Sequence, residues 1–168
     1  LLAARRKARL RYIELDDQGR LILDDLDTLL SEKTKIVAIS HVSNALGTIN
    51  PVKQIAEAAH AVGAIVCVDG AQGAVHTKVD VHDLGADFYA FSGHKICGPT
   101  GIGVLWGRKE LLESMSPWQG GGEMIHIVGR DESSWAAVPH KFEAGTPNIA
   151  GAIGMGAAID FLSEVGAD

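Results

Sequence analysis

Lys95 stands in the tetrapeptide Ser92-Gly93-His94-Lys95, directly after the apolar run Phe88 to Phe91 and before Gly98-Pro99-Thr100-Gly101. An amine in that position is partly withdrawn from water, and a dry amine is a nucleophile toward carbonyl carbon. A solvated loop lysine is the other reading of the tetrapeptide alone. Asp69 ends the apolar run Ala64 to Val68, where an unpaired carboxylate is costly and calls for a cation or hydrogen-bond donor, such as a protonated ring nitrogen. Alternatively it caps a helix beginning near Gly70. Gln72 and Asn44 each carry an amide able to donate to a ring oxygen. Ser92 and His94 flank the lysine with donors suited to phosphate, although loop residues of these types commonly do no more than meet water.

These side chains have in common that each follows a strand-like segment. Lys35–Ser40, Ala64–Val68, Phe88–Phe91 and Ile102–Trp106 are short apolar, β-branched or aromatic runs bounded by glycine or polar residues. Between the first two, Pro51 to Val62 reads as a helix, with proline in its first turn and Gly63 past its end. Strands apolar on both faces with helices between them predict a mainly parallel sheet in a three-layer αβα arrangement, an α/β fold. In such sheets ligands bind beyond the carboxyl ends of the strands, and His41-Val42-Ser43-Asn44, Asp69-Gly70-Ala71-Gln72 and Ser92-Gly93-His94-Lys95 all fall there.

Elsewhere Leu10–Leu15 reads as a further strand, Asp16-Asp17-Gln18-Gly19 as a turn, and Leu23–Leu30 as a short helix. Gly120-Gly121-Gly122 opens a loop to about His140, too long for a simple connection. Asn148 to about Val165 is a helix carrying Gly151, Gly154 and Gly156, which read as close packing against a neighbouring helix, with a ligand contact as the alternative. The 20 glycines exceed a usual share of about 7%.

The net charge of −6 argues against a domain-wide nucleic-acid surface. The basic cluster Arg5 to Arg11 reads as a solvated helix face. Cys67 and Cys97 have neither metal-ligand spacing nor a disulfide framework and read as packing residues, the histidines show no metal-site spacing, and no apolar run is long enough to span a bilayer. A soluble protein of the reducing cytoplasm, without a metal or a membrane partner, is the expectation.

Taken together, Val68-Asp69-Gly70-Ala71-Gln72, Phe91-Ser92-Gly93-His94-Lys95, Gly98-Pro99-Thr100-Gly101-Ile102-Gly103 and Phe142-Glu143-Ala144-Gly145-Thr146-Pro147-Asn148 resemble the class V aminotransferase-type enzymes that use pyridoxal 5′-phosphate. With His41 to Thr48 and the Gly120–Gly122 loop, the chain is most similar to group II cysteine desulfurases, the branch that includes selenocysteine lyases.

The resemblance implies the large domain of a fold type I enzyme, with residues 1–168 its central part and the small C-terminal domain outside the chain. It further implies that Lys95 bonds the cofactor aldehyde and later moves the substrate Cα proton. Asp69 would pair with the ring nitrogen, Gln72 hydrogen-bond the phenolic oxygen, and Asn44 face that oxygen or the substrate carboxylate. Ser92 and His94 would hold the phosphate, and Thr146 would reach the partner's phosphate in a homodimer. The implied reaction converts L-cysteine to L-alanine, with sulfur passed as an enzyme persulfide to an acceptor protein for iron-sulfur cluster assembly. The resemblance places the nucleophilic cysteine and a substrate-binding arginine beyond Asp168, and a ring-stacking histidine before Leu1. Selenocysteine or another amino acid as substrate, and a segment without turnover of its own, remain the alternatives.

Overall fold

The computed structural model describes residues 2–166. Its centre is a four-stranded sheet in the order β1 (Ile36–Ser40), β2 (Ile65–Asp69), β3 (Phe88–Ser92) and β4 (Gly103–Gly107). β1, β2 and β3 are parallel, in a register that places Ser40 beside Asp69 and Asp69 beside Ala90. β4 runs antiparallel to β3. Its direction follows from the connection, because a parallel crossover needs a dozen or more residues and the short Gly93–Ile102 segment can only turn back. Gly93 N–H bonds to Ile102 O at 2.8 Å and closes that turn.

Between β1 and β2 the chain forms α3 (Val52–Ala61), preceded by α1 (Leu2–Arg5) and α2 (Leu26–Leu29). Val52, Ile55, Ala56 and Ala59 form the buried stripe of α3, and Val52, Ala56 and Ala59 join the core cluster that contains Val66 and Val68 of β2. Successive strand residues face opposite sides, so Ile65 and Cys67 look the other way and are half-buried. Full burial of an aliphatic side chain contributes about 1.5–3 kcal/mol, so this α3–β2 contact helps to hold β2 in place.

After β2 come α4 (Gly73–His76), then β3 and β4, α5 (Lys109–Ser114), and α6 (Ile149–Val165). A single-turn 3-10 helix, Gly93–Ile96, joins β3 to the return segment, and α6 packs against it. Asn148 caps α6, its Oδ1 accepting from Gly151 N–H at 3.0 Å.

Four sequence expectations change. Leu10–Leu15 is not a strand: only Leu15 forms a bridge, to Leu21, and Leu10, Tyr12 and Leu15 stay exposed. Instead Arg11 donates to the Thr28 and Leu29 carbonyls at the end of α2. The basic helix face stops early, because α1 ends at Arg5 and Lys7 takes a positive φ. The Gly120–His140 stretch holds a two-stranded antiparallel ribbon, β5 (Ile125–Val128) with β6 (Ser133–Trp135), beside a fully buried Met124. Finally, among the described residues the α6 glycines do not meet a neighbouring α-helix. A Cβ on Gly154 would lie 2.7 Å from the Pro99 ring, one on Gly151 would strike the Asn148 cap, and one on Gly156 would meet nothing.

Opposite the carboxyl rim, Asp87 precedes β3 with its side chain buried. It accepts from Val66 N–H at 2.8 Å and pairs with His60 Nε2 and Arg108 Nε, both at 2.8 Å. One carboxylate thereby ties α3, β2 and the end of β4 together.

Candidate active site

The parallel register brings the three predicted rim segments side by side. His41 N–H bonds to Asp69 O, and Gly70 N–H to Ala90 O, both at 2.8 Å, so the chain crosses from strand to strand at one level. Neighbouring strands lie about 4.8 Å apart; three ends therefore span about 10 Å, wide enough for a small substituted aromatic ring.

Lys95 sits in the Gly93–Ile96 turn and is half-buried. Gly93 permits that turn, since a Cβ there would approach the Ile102 and Pro99 carbonyl oxygens to 3.1 Å. Asp69, expected to be a costly buried charge, is instead exposed. Its Oδ1 accepts from Ala71 N–H at 2.9 Å, an Asx bond rather than the helix cap, because α4 starts only at Gly73. Asp69 and Lys95 stand on adjacent strand ends, yet neither forms an ion pair among the described residues. Gln72 Nε2 donates to Asn44 Oδ1, joining the β1 and β2 rims. Ser92 is half-buried and His94 exposed on either side of Gly93. Thr146 is exposed, ahead of α6. A cavity of about 310 Å³ opens behind the Asn44–Gln72 pair, lined also by Ser43, His76 and Thr77.

Two buried groups escaped the sequence reading as parts of this site. His41 follows β1 and Tyr89 lies in β3, and His41 Nδ1 and Tyr89 Oη are hydrogen-bonded at 3.0 Å beneath the Asp69–Gly73 turn. Burial, and then the Asp69 charge, push the Tyr89 phenol up to about 12. Burial lowers the His41 pKa, and burial with the Asp69 charge raises that of Cys67. The field of Asp69 thus reaches into the sheet, where a positive group at the rim would meet it favourably. The sequence signal for the pair was weak: a histidine before Asn44 and a tyrosine in an apolar strand.

Chemically, the donor set comprises an amine able to condense with an aldehyde, a carboxylate free of any described cation, and two coupled amides. A pyridine ring with an aldehyde and an acidic hydroxyl fits that set, and pyridoxal 5′-phosphate is such a ring. Cys97 departs from its expected packing role: it is exposed and left-handed, φ 64°, at the end of the lysine turn. Among the described residues no group of three or more His, Cys, Asp or Glu could hold a metal ion, and no helix is long and apolar enough to cross a membrane.

The family described as aminotransferase class V matches residues 1–168. The chain belongs to that family. It is 62% identical to the probable cysteine desulfurase of Halalkalibacterium halodurans, over 96% of this chain and 40% of that relative. The probable cysteine desulfurase of Streptomyces coelicolor is 57% identical over the whole of this chain and 40% of its own. Among solved structures, the Escherichia coli cysteine desulfurase CsdA superposes with a TM-score of 0.93 at 47% identity, over 96% of this chain and 41% of that one. The apo cysteine desulfurase of Thermococcus onnurineus NA1 also gives 0.93, at 46% identity, over 99% and 42%. The chain therefore spans about 40% of the length of the curated relatives it matches, and these solved cysteine desulfurases share its α/β fold.

Proposed function

We propose that this chain is the central part of the cofactor-binding large domain of a pyridoxal 5′-phosphate-dependent cysteine desulfurase. The observation that carries the reading is the juxtaposition of elements at the rim: the turn that carries Lys95 follows β3, Asp69 ends the neighbouring strand β2, and neither side chain forms an ion pair among the described residues. When bound, the cofactor supplies an electron sink for charge developing at the substrate Cα.

Each residue then has a defined task. Lys95 Nζ would hold the cofactor and would take the substrate Cα proton and return it. Asp69 accepts from the ring nitrogen and keeps it positive. The amide of Gln72, oriented by Asn44, donates to the ring hydroxyl oxygen. Ser92 Oγ and the His94 ring donate to the phosphate, and exposed Thr146 reaches the phosphate of a second subunit in a homodimer. L-Cysteine is the substrate, L-alanine the amino-acid product, and sulfur leaves as a persulfide on a cysteine of the full-length enzyme for a protein acceptor in iron-sulfur cluster assembly. The relatives named cysteine desulfurase support this substrate class, and a cytoplasmic location and group II placement complete the proposal.

Borohydride reduction of the cofactor-treated full-length protein, followed by peptide mass analysis, is expected to put a pyridoxyl group on Lys95 and to leave K95A unlabelled. A label elsewhere would sink the reading. Alanine release in the same preparations is expected to be faster from cysteine than from selenocysteine; the reverse order would assign the chain to a selenocysteine lyase.

A further inference from the structure

The mechanism leaves unused the two buried polar side chains beneath the rim. His41 is 5% exposed and Tyr89 2%. Their rings meet edge to face with centroids 6.0 Å apart, and Nδ1 to Oη is 3.0 Å. Both press on the backbone of the turn above. A Cβ on Gly70 would overlap the Tyr89 ring and come within 2.6 Å of its hydroxyl, and one on Gly73 would lie 2.7 Å from the same oxygen and strike the His41 ring. Glycine at these two positions lets the backbone rest directly on the pair. His41 also donates its own N–H to Asp69 O, and Gly70 donates to Ala90 O beside Tyr89. The turn that carries Asp69 and Gln72 is thus fixed from below by β1 and β3 together.

We propose that Tyr89, held by its hydrogen bond to His41, is a positioning residue that sets the height and orientation of the Asp69–Gly73 turn, and through it the way Asp69 and Gln72 would meet the cofactor ring. The last clause of this proposal rests on reading those two side chains as cofactor ligands. The strut itself rests on geometry alone. Tyr89→Phe keeps the ring that fills the space and deletes only the hydroxyl that joins β3 to β1. An amphipathic pair suits the place: the ring packs with the core, and the polar edge gives the turn one orientation.

The test uses the full-length protein with and without cofactor. In the cofactor-free protein, hydrogen exchange of a peptide covering residues 69–76 is expected to quicken about ten-fold in Y89F, the size of effect that follows from losing one buried hydrogen bond. Exchange in α6 is expected not to change. In the loaded protein, Y89F is expected to raise the cofactor Kd about ten-fold and to reduce the visible circular dichroism of the bound ring, with far-ultraviolet dichroism intact. His41→Asn, which can still bond the phenol, is expected to recover part of both effects relative to His41→Leu. If Y89F does not fold, the Asn and Leu pair carries the same comparison. Unchanged exchange at the turn overturns the proposal. So does faster exchange spread evenly over β1–β3, or a faster turn with cofactor affinity and dichroism unaltered. A wild-type protein without a Lys95 label sinks the cofactor reading instead, while the exchange result still decides whether the strut exists.

Discussion

Cys97 and Lys95 share one short turn, but the backbone treats their side chains differently. Lys95 is half-buried at the rim, whereas Cys97 projects outward from a left-handed residue. Cys67 faces away from α3 within β2, half-buried, and its thiol is raised by burial and by the negative charge of Asp69. Since the thiolate is the reacting form, iodoacetamide at pH 8 is expected to label Cys97 well before Cys67, by about ten-fold or more. Equal rates, followed by peptide mass analysis, would contradict the placement of both thiols. Exposure and nearness in the chain to Lys95 do not by themselves make Cys97 part of the chemistry.

Among the elements, α6 has the closest bearing on the site, since it packs on the Lys95 turn. Two of its three glycines, Gly154 and Gly156, look alike in the sequence and differ in the fold. A methyl on Gly154 meets Pro99, and one on Gly156 meets open space. Gly156→Ala is therefore expected to stabilise the protein by about 1 kcal/mol through helix propensity. Gly154→Ala is expected to lose that gain and destabilise by about 1–3 kcal/mol through overpacking. Denaturant midpoints measure both, and two substitutions of equal effect would show that α6 does not rest on the Pro99 turn. The turn itself was legible only in part. Its glycines announced a tight connection, but whether β4 returned parallel or antiparallel depended on chain length between the strands and on the Gly93–Ile102 hydrogen bond.

For the molecule as a whole, pH acts on stability through the buried imidazole under the rim. Burial holds the His41 pKa below its ordinary 6.5 in the folded state. The folded protein therefore binds fewer protons there than the unfolded chain, and stability is complete above about pH 6.5 and falls as the pH drops below it. Chemical denaturation from pH 8 to pH 5 is expected to show this decline, and His41→Asn to show a shallower one. A steeper slope in the variant would reverse the assignment. At the opposite end of the sheet, the Asp87 carboxylate joins His60, Arg108 and the Val66 amide, so the strands are pinned below while their upper ends remain available to carry polar groups.

Much of this protein was readable in its residues. The apolar runs located β1 to β4, Pro51 and Gly63 bracketed α3, Asn148 marked the start of α6, and the motifs after each strand led to Lys95, Asp69, Gln72 and Asn44. These features are local, since strand formation, capping and tight turns depend on neighbours close in the chain. Leu10–Leu15 misled for the same reason: its pattern suits a strand, but among the described residues no sheet edge takes it up. The hidden strut of His41 and Tyr89, the exposure of Asp69 and Cys97, and the shared role of Asp87 depended on parallel register. Register brings together residues that are far apart in the chain, and only the packing of α3 on the sheet and the ladder of hydrogen bonds across it decided which of them meet.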